Sequence, residues 1–108
     1  VIVIAPKLIA FLSIIIDAYA ITLWPFILTT GPLSAQGENH ERIHLAQQRE
    51  LLIVGFYFLY VLDYVLGRSM GLSPEEAYME IRFEKEAYAA QNDLGYLERR
   101  QFWAWIDY

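Results

Sequence analysis

Asn39-His40-Glu41-Arg42-Ile43-His44, continued by Leu45-Ala46-Gln47-Gln48-Arg49-Glu50 and then by LLIVGFYFLYVLDYVL over residues 51–66, carries most of the information in this chain. Residues four apart share one face of a helix, so His40 and His44 can offer two imidazole nitrogens to a single metal ion. Glu41 lies about 100° further round, beside that face, within reach of a water on the metal. The chain has 2 histidines and 0 cysteines, so a borderline metal finds no other imidazole and no thiolate. Asn39 is a good N-cap and no breaker follows, which predicts one helix from His40 through Leu66. Its first turns are polar, while its later turns are apolar all round apart from Asp63. A helix apolar all round is buried in protein or in lipid, so the expected arrangement is a metal site at a membrane surface with the later turns dipping in.

Composition agrees with a hydrophobic setting. Hydrophobic residues make up 56% of the 108 and charged ones 19%, against roughly 45–50% and 25% in soluble domains. Aromatic residues at 16% suit a membrane interface or a large partner surface. A net charge of −5 leaves no basic patch for phosphates and excludes nucleic acid as a partner. The absence of cysteine excludes disulfides and thiolate metal sites.

Residues 1–33 are nearly all apolar, interrupted by Pro6, Lys7, Asp17 and Pro25. Residues 8–28 have the length of a membrane span, with Asp17 near the middle as its cost. The alternative is a short helix near residues 7–17 followed by an extended stretch at 20–28, where Ile21-Thr22-Leu23-Trp24 is β-branched and aromatic. The reading adopted is a membrane-associated segment with an extended end. Lys7, the run 8–16 and Ala18-Tyr19-Ala20 imitate a cleavable signal only faintly, so the segment is expected to be retained. Residues 29–39, with two glycines and a proline, read as a loop.

Further on, Ser73-Pro74-Glu75-Glu76 predicts a helix start, with Ser73 as cap and Glu76 completing a capping box. That helix is expected from Pro74 to about Asn92, followed by a break at Asp93-Leu94-Gly95 and a last short helix from Tyr96 to about Trp105. Two imidazoles alone do not make a zinc site, and with His and Cys exhausted the third ligand must be a carboxylate. Along the helix Ala77, Ile81, Glu84 and Tyr88 form one stripe at helical spacing, so Glu84 faces the core. Glu84 is therefore the preferred ligand, with Glu80 one turn earlier in reserve and Glu86 off the stripe. Gln47 and Gln48 are read either as packing or metal-supporting groups or, equally, as part of a solvated helix face. Tyr57, Tyr60 and Tyr64 are read as packed or at headgroup level, Asp63 as reaching the interface in preference to a paired membrane carboxylate, and Phe102, Trp103 and Trp105 as an interface anchor in preference to a substrate-binding surface.

The pattern His40-Glu41-x-x-His44 with Gln47-Gln48, and about forty residues later Phe83-Glu84-Lys85-Glu86-Ala87-Tyr88-Ala89, resembles the gluzincin class of zinc metallopeptidases. It is similar to their small bacterial members and to the membrane CAAX-protease and HtpX-like enzymes. The resemblance covers residues from about 20 to 92. It implies one Zn2+ per chain held by His40, His44 and Glu84, Glu41 as general base, and a peptide substrate. It further implies that the stretch 20–26 is an edge strand able to pair with that substrate. In the family pattern Glu-x-x-Ala-Asp, an aspartate orients a zinc-bound histidine; this chain has Tyr88 there instead. Tyr88 and Gln47 are thus the expected supports of the imidazoles, and Tyr78 and Tyr88 the candidates for stabilising an oxyanion.

The expectation is a mainly α chain: a small zincin-like helical metal-binding domain at 34–108, preceded by a hydrophobic segment at 1–33 with at most a short β element. Its expected function is zinc-dependent peptide hydrolysis at the membrane, in the bacterial inner membrane by the resemblance. The alternative is an accessory subunit of a larger membrane assembly that retains the metal site. Membrane lipid or such an assembly is the expected partner.

Overall fold

The computed structural model describes residues 2–7 and 20–108. The chain is mainly helical, with one small sheet. Strand β1 (Ile2–Ile4) pairs in parallel with β3 (Phe26–Thr29), which pairs antiparallel with β2 (Ala20–Leu23), giving the order β1-β3-β2. The stretch expected to be extended is thus a tight hairpin, turned at Trp24-Pro25, where the peptide bond is cis. Central β3 is buried at Ile27, Leu28 and Thr29, as its apolar and β-branched composition requires. The sheet exceeds the single short extended element expected, because the apolar residues before Lys7 supply a third strand. The helix expected near 7–17, Asp17 and most of the proposed 8–28 span lie outside the described residues.

Helix α1 (Ala35–Ser69) begins five residues earlier than the sequence suggested. Ser34, not Asn39, is its cap, its hydroxyl accepting from the N–H of Gly37 at 3.0 Å. Asn39 is buried inside the helix, and its amide donates to the carbonyls of Ala90, Gln91 and Asp93 at 3.2, 2.9 and 3.0 Å. It therefore caps the far end of another helix.

α1 is also not one rod. Leu52 has φ 60° and ψ 169°, outside any helical region. A straight helix of this length would measure about 52 Å, yet the longest extent of the whole molecule is 35 Å. The two arms, 35–51 and 53–69, fold back toward one another, which brings Phe56 to within 5.9 Å of His44 between ring centroids. Taken by length and composition, α1 is long and apolar enough to cross a membrane, and its best window has a mean hydropathy of 1.7 with only 11% buried.

The C-terminal half packs into this bend. α2 (Pro74–Met79) starts with the expected capping box between Ser73 and Glu76. Gly67 admits α2, since a Cβ there would lie 3.1 Å from that of Ala77. The helix expected through Asn92 instead breaks at Ile81, whose ψ is 125°, and resumes as α3 (Arg82–Ala90). Asp63 explains the break: its carboxylate accepts from the Arg82 backbone N–H at 3.2 Å and from the Arg82 guanidinium at 2.9 and 3.1 Å. Asp63 is thus a paired cap and not a group reaching for an interface.

After α4 (Tyr96–Arg99) the chain turns, and a 3-10 turn (Ala104–Asp107) closes it. The expected terminal anchor divides. Trp105 is buried against Phe83, with ring centroids 5.0 Å apart and the Arg82 guanidinium 5.4 Å from its ring, whereas Phe102 and Trp103 stay exposed. Phe56, Ile81, Phe83 and Trp105 form one core cluster; Ile43, Ala87 and Ala90 form another.

Candidate metal centre

Ile43 seats one face of the first arm of α1 on Ala87 and Ala90 of α3. That packing aims the neighbouring face, with His40 and His44, at Glu84. Nε2 of each imidazole lies 3.1 Å from Glu84 Oε1, and the two Nε2 atoms are 3.2 Å apart. All three side chains are buried. Bonds of 2.0–2.1 Å around a tetrahedral ion place neighbouring donors about 3.3 Å apart. The near-equilateral triangle of Nε2, Nε2 and Oε1 therefore fits the coordination sphere of a small divalent ion, and it is a group able to hold one.

Each remaining donor or acceptor is accounted for. His40 Nδ1 lies 2.8 Å from Gln91 Oε1, and His44 Nδ1 lies 2.7 Å from Gln47 Oε1. Glu84 Oε2 accepts from the Tyr60 hydroxyl at 2.6 Å. Burial alone would lower the pKa of His44, but the Glu84 carboxylate beside it wins and raises it to about 9, with Glu41 adding to the effect. Burial likewise opposes the charge on Glu84, yet the His44 charge and the hydrogen bonds from both imidazoles and Tyr60 hold its carboxyl far below the usual range. Without a metal the group is a buried ion pair.

Glu41 is half-buried beside the triangle, and its Oε2 accepts from the Thr22 hydroxyl at 2.6 Å. β2 is thereby fastened to α1 beside the site. Gln48 continues the seam, accepting from the Trp24 N–H and donating to the Thr22 carbonyl, each at 2.7 Å. The Tyr57 hydroxyl donates to the same carbonyl at 2.5 Å. Tyr57 and Tyr60 thus pack on the core, as one of their two expected readings had it, and their hydroxyls also bond at the site.

Two expected residues sit otherwise than foreseen. Tyr88 touches His40 with its ring, centroids 4.5 Å apart, but its hydroxyl pairs with that of Tyr78 at 3.2 Å. The acceptor for His40 is Gln91. Tyr78 lies beside Glu84, and burial followed by that carboxylate pushes its hydroxyl well up, keeping the proton on it. Glu80 points away and pairs with Lys85 at the surface.

Glu86, read as off the buried stripe, is completely buried. The break at Ile81 opens a second side of α3, onto which the C-terminal segment folds. Glu86 accepts from Gln47 at 2.9 Å, from Tyr96 at 2.6 Å and from Arg100, while Arg100 also grips Glu50 at 2.7 and 3.0 Å. Sequence reading missed Thr22, Tyr60, Gln91 and Arg100. Only Gln91 left a signal, since it stands seven residues after Glu84, two turns along the same face.

No protein-family model matches this chain, and no curated protein or solved structure is significantly similar to it.

Proposed function

We propose that this chain is a zinc-dependent peptidase of the gluzincin type, acting on peptides at a membrane surface. The buried triangle of His40 Nε2, His44 Nε2 and Glu84 Oε1, with Glu41 alongside, carries the reading. Two imidazoles and one carboxylate suit zinc among the first-row divalent ions. When bound, zinc would supply Lewis acidity to a water and to the scissile carbonyl.

The chain's own residues do the rest. Glu41, held at one oxygen by Thr22, has its other oxygen to take the proton of the attacking water and deliver it to the leaving amine. Tyr78 and Tyr88, paired beside His40, offer a hydroxyl proton to a developing oxyanion. The second arm of α1 turns Val54, Phe58, Val61 and Val65 outward, all more than half exposed, which suits contact with lipid. Insertion of that face would set the metal group at the membrane surface. The bacterial inner membrane rests on the resemblance alone.

One observation favours the second reading, an accessory subunit with a retained metal site. The outward edge of β2, where a peptide would add as a strand, is occupied at Thr22 and Trp24 by Gln48 and Tyr57. Glu41→Gln tests the first reading: zinc content should stay at one equivalent while peptide hydrolysis disappears. Full hydrolysis in that variant would refute it. Extraction in mild detergent tests the second, which requires co-purification with larger chains in fixed stoichiometry.

A further inference from the structure

A histidine that gives Nε2 to a metal carries its proton on Nδ1, and that proton needs an acceptor to hold the ring in place. Where the gluzincin pattern offers an aspartate, this chain has Tyr88, whose hydroxyl is turned away onto Tyr78. Both imidazoles nevertheless find an acceptor, and in both cases it is a glutamine carbonyl oxygen.

The orientation of Gln47 is dictated by its surroundings. Its amide nitrogen faces two acceptors, the Phe83 carbonyl at 3.1 Å and Glu86 Oε1 at 2.9 Å. Only its oxygen remains for His44. Glu86 is in turn held by Tyr96 and Arg100, so the carboxylate cannot swing away from Gln47. Gln91 is positioned by its backbone: Asn39, one residue before His40, grips the Gln91 carbonyl at 2.9 Å and keeps the end of α3 beside that histidine. One glutamine reaches its histidine from three residues along the same helix, the other from the opposite helix.

We propose that Gln47 and Gln91 are the positioning residues of the metal centre, a pair of uncharged acceptors that fix both histidines as Nδ1–H tautomers with their Nε2 lone pairs converging on one ion. The inference rests on the metal-binding reading and goes beyond it. Uncharged acceptors withdraw less from the ion's positive charge than carboxylates would, so the site binds its metal less tightly and leaves it a stronger Lewis acid.

Gln91 provides the test, because it is only half-buried at the end of α3 and its substitution leaves the Asn39 contact to the backbone intact. Zinc affinity of the full chain is measured by chelator competition at mildly alkaline pH, where protons compete least. The wild type is compared with Gln91→Leu and Gln91→Glu. Affinity should fall by about 10- to 100-fold in Gln91→Leu and rise above wild type in Gln91→Glu. In the zinc-loaded protein, NMR should show two exchange-protected Nδ1–H protons, of which Gln91→Leu loses that of His40 alone. A merely structural role would disturb both histidines and would not order the three side chains by charge. Equal affinity across the series, or loss of both protons, would overturn the inference. A wild type that takes up no zinc would overturn the metal-binding reading together with it.

Discussion

Tyr60 donates its hydroxyl hydrogen to Oε2 of Glu84 across 2.6 Å, although in a straight helix it would stand far from either histidine. Twenty residues of α-helix from His40 span about 30 Å. Only the reversal at Leu52 lets one helix supply both the imidazoles and the group that steadies their carboxylate partner. The two oxygens of Glu84 then have separate neighbours, Oε1 the two imidazoles and Oε2 the Tyr60 hydroxyl.

Tyr60→Phe should therefore weaken zinc binding by about 10-fold, the lower end of what loss of a supporting hydrogen bond costs a metal site. Chelator competition measures it. Unchanged affinity would mean that packing alone orients Glu84.

Thr22 should act on turnover and not on metal. Thr22→Val removes the hydroxyl that holds one oxygen of Glu41, and kcat for a peptide substrate should drop by about 10-fold with KM and zinc content kept. Thr22→Ser should restore the rate. Equal rates for the valine and serine variants would show that the contact serves only to dock β2.

The ion pair at the site makes stability depend on pH. The pKa of His44 is raised from 6.5 to about 9, so its contribution to the metal-free protein is complete below 6.5 and is lost as pH rises through about 9. That of Glu84 is lowered from 4.5, so its contribution is present above 4.5 and is lost in acid. The Tm of the metal-free protein should fall on the alkaline side between these two His44 values. Metal ligation needs neutral imidazole, so the gain in Tm on adding zinc should grow from about pH 6 to about pH 9. A gain that shrinks over this range would contradict the pairing of His44 with Glu84.

Leu52 occupies a backbone region suited to glycine, and its side chain is 74% exposed. Leu52→Gly should stabilise the fold by about 1 kcal/mol through relief of backbone strain. Urea denaturation checks this. A loss of stability would imply that the two arms are continuous helix at Leu52.

Arg100 stands between Glu50 and Glu86 with its side chain 5% exposed. Arg100→Met leaves two buried carboxylates without a cation, held only by neutral donors, and should cost about 3–5 kcal/mol. A cost below about 1 kcal/mol would indicate that water reaches the pair.

With no similar protein known to support or refute the resemblance to gluzincins, the peptidase proposal rests on the site geometry. Much of that site was legible along the chain. His40 and His44 stand four residues apart, and Glu84 sits among apolar residues at helical spacing, so local periodicity alone put three polar groups on inward faces. The Ser73 capping box was equally local, since both of its hydrogen bonds close within four residues.

What escaped depended on contacts between distant segments. Ser34 outcompeted Asn39 as the cap because Asn39 had carbonyls more than fifty residues away to satisfy. The long helix broke at Leu52 and the later one at Ile81, neither a glycine nor a proline; at Ile81 the Asp63 carboxylate took the Arg82 N–H. That second break turned Glu86 inward and gave Arg100 its place. Tyr60 and Thr22 reached the site only once the bend and the hairpin existed. The sequence by itself determined that His40, His44 and Glu84 face inward, because helical periodicity is a property of neighbours. Tertiary structure decided that the three meet and which groups steady them, because a buried hydrogen bond is satisfied by whichever partner packing brings within reach, at any separation along the chain.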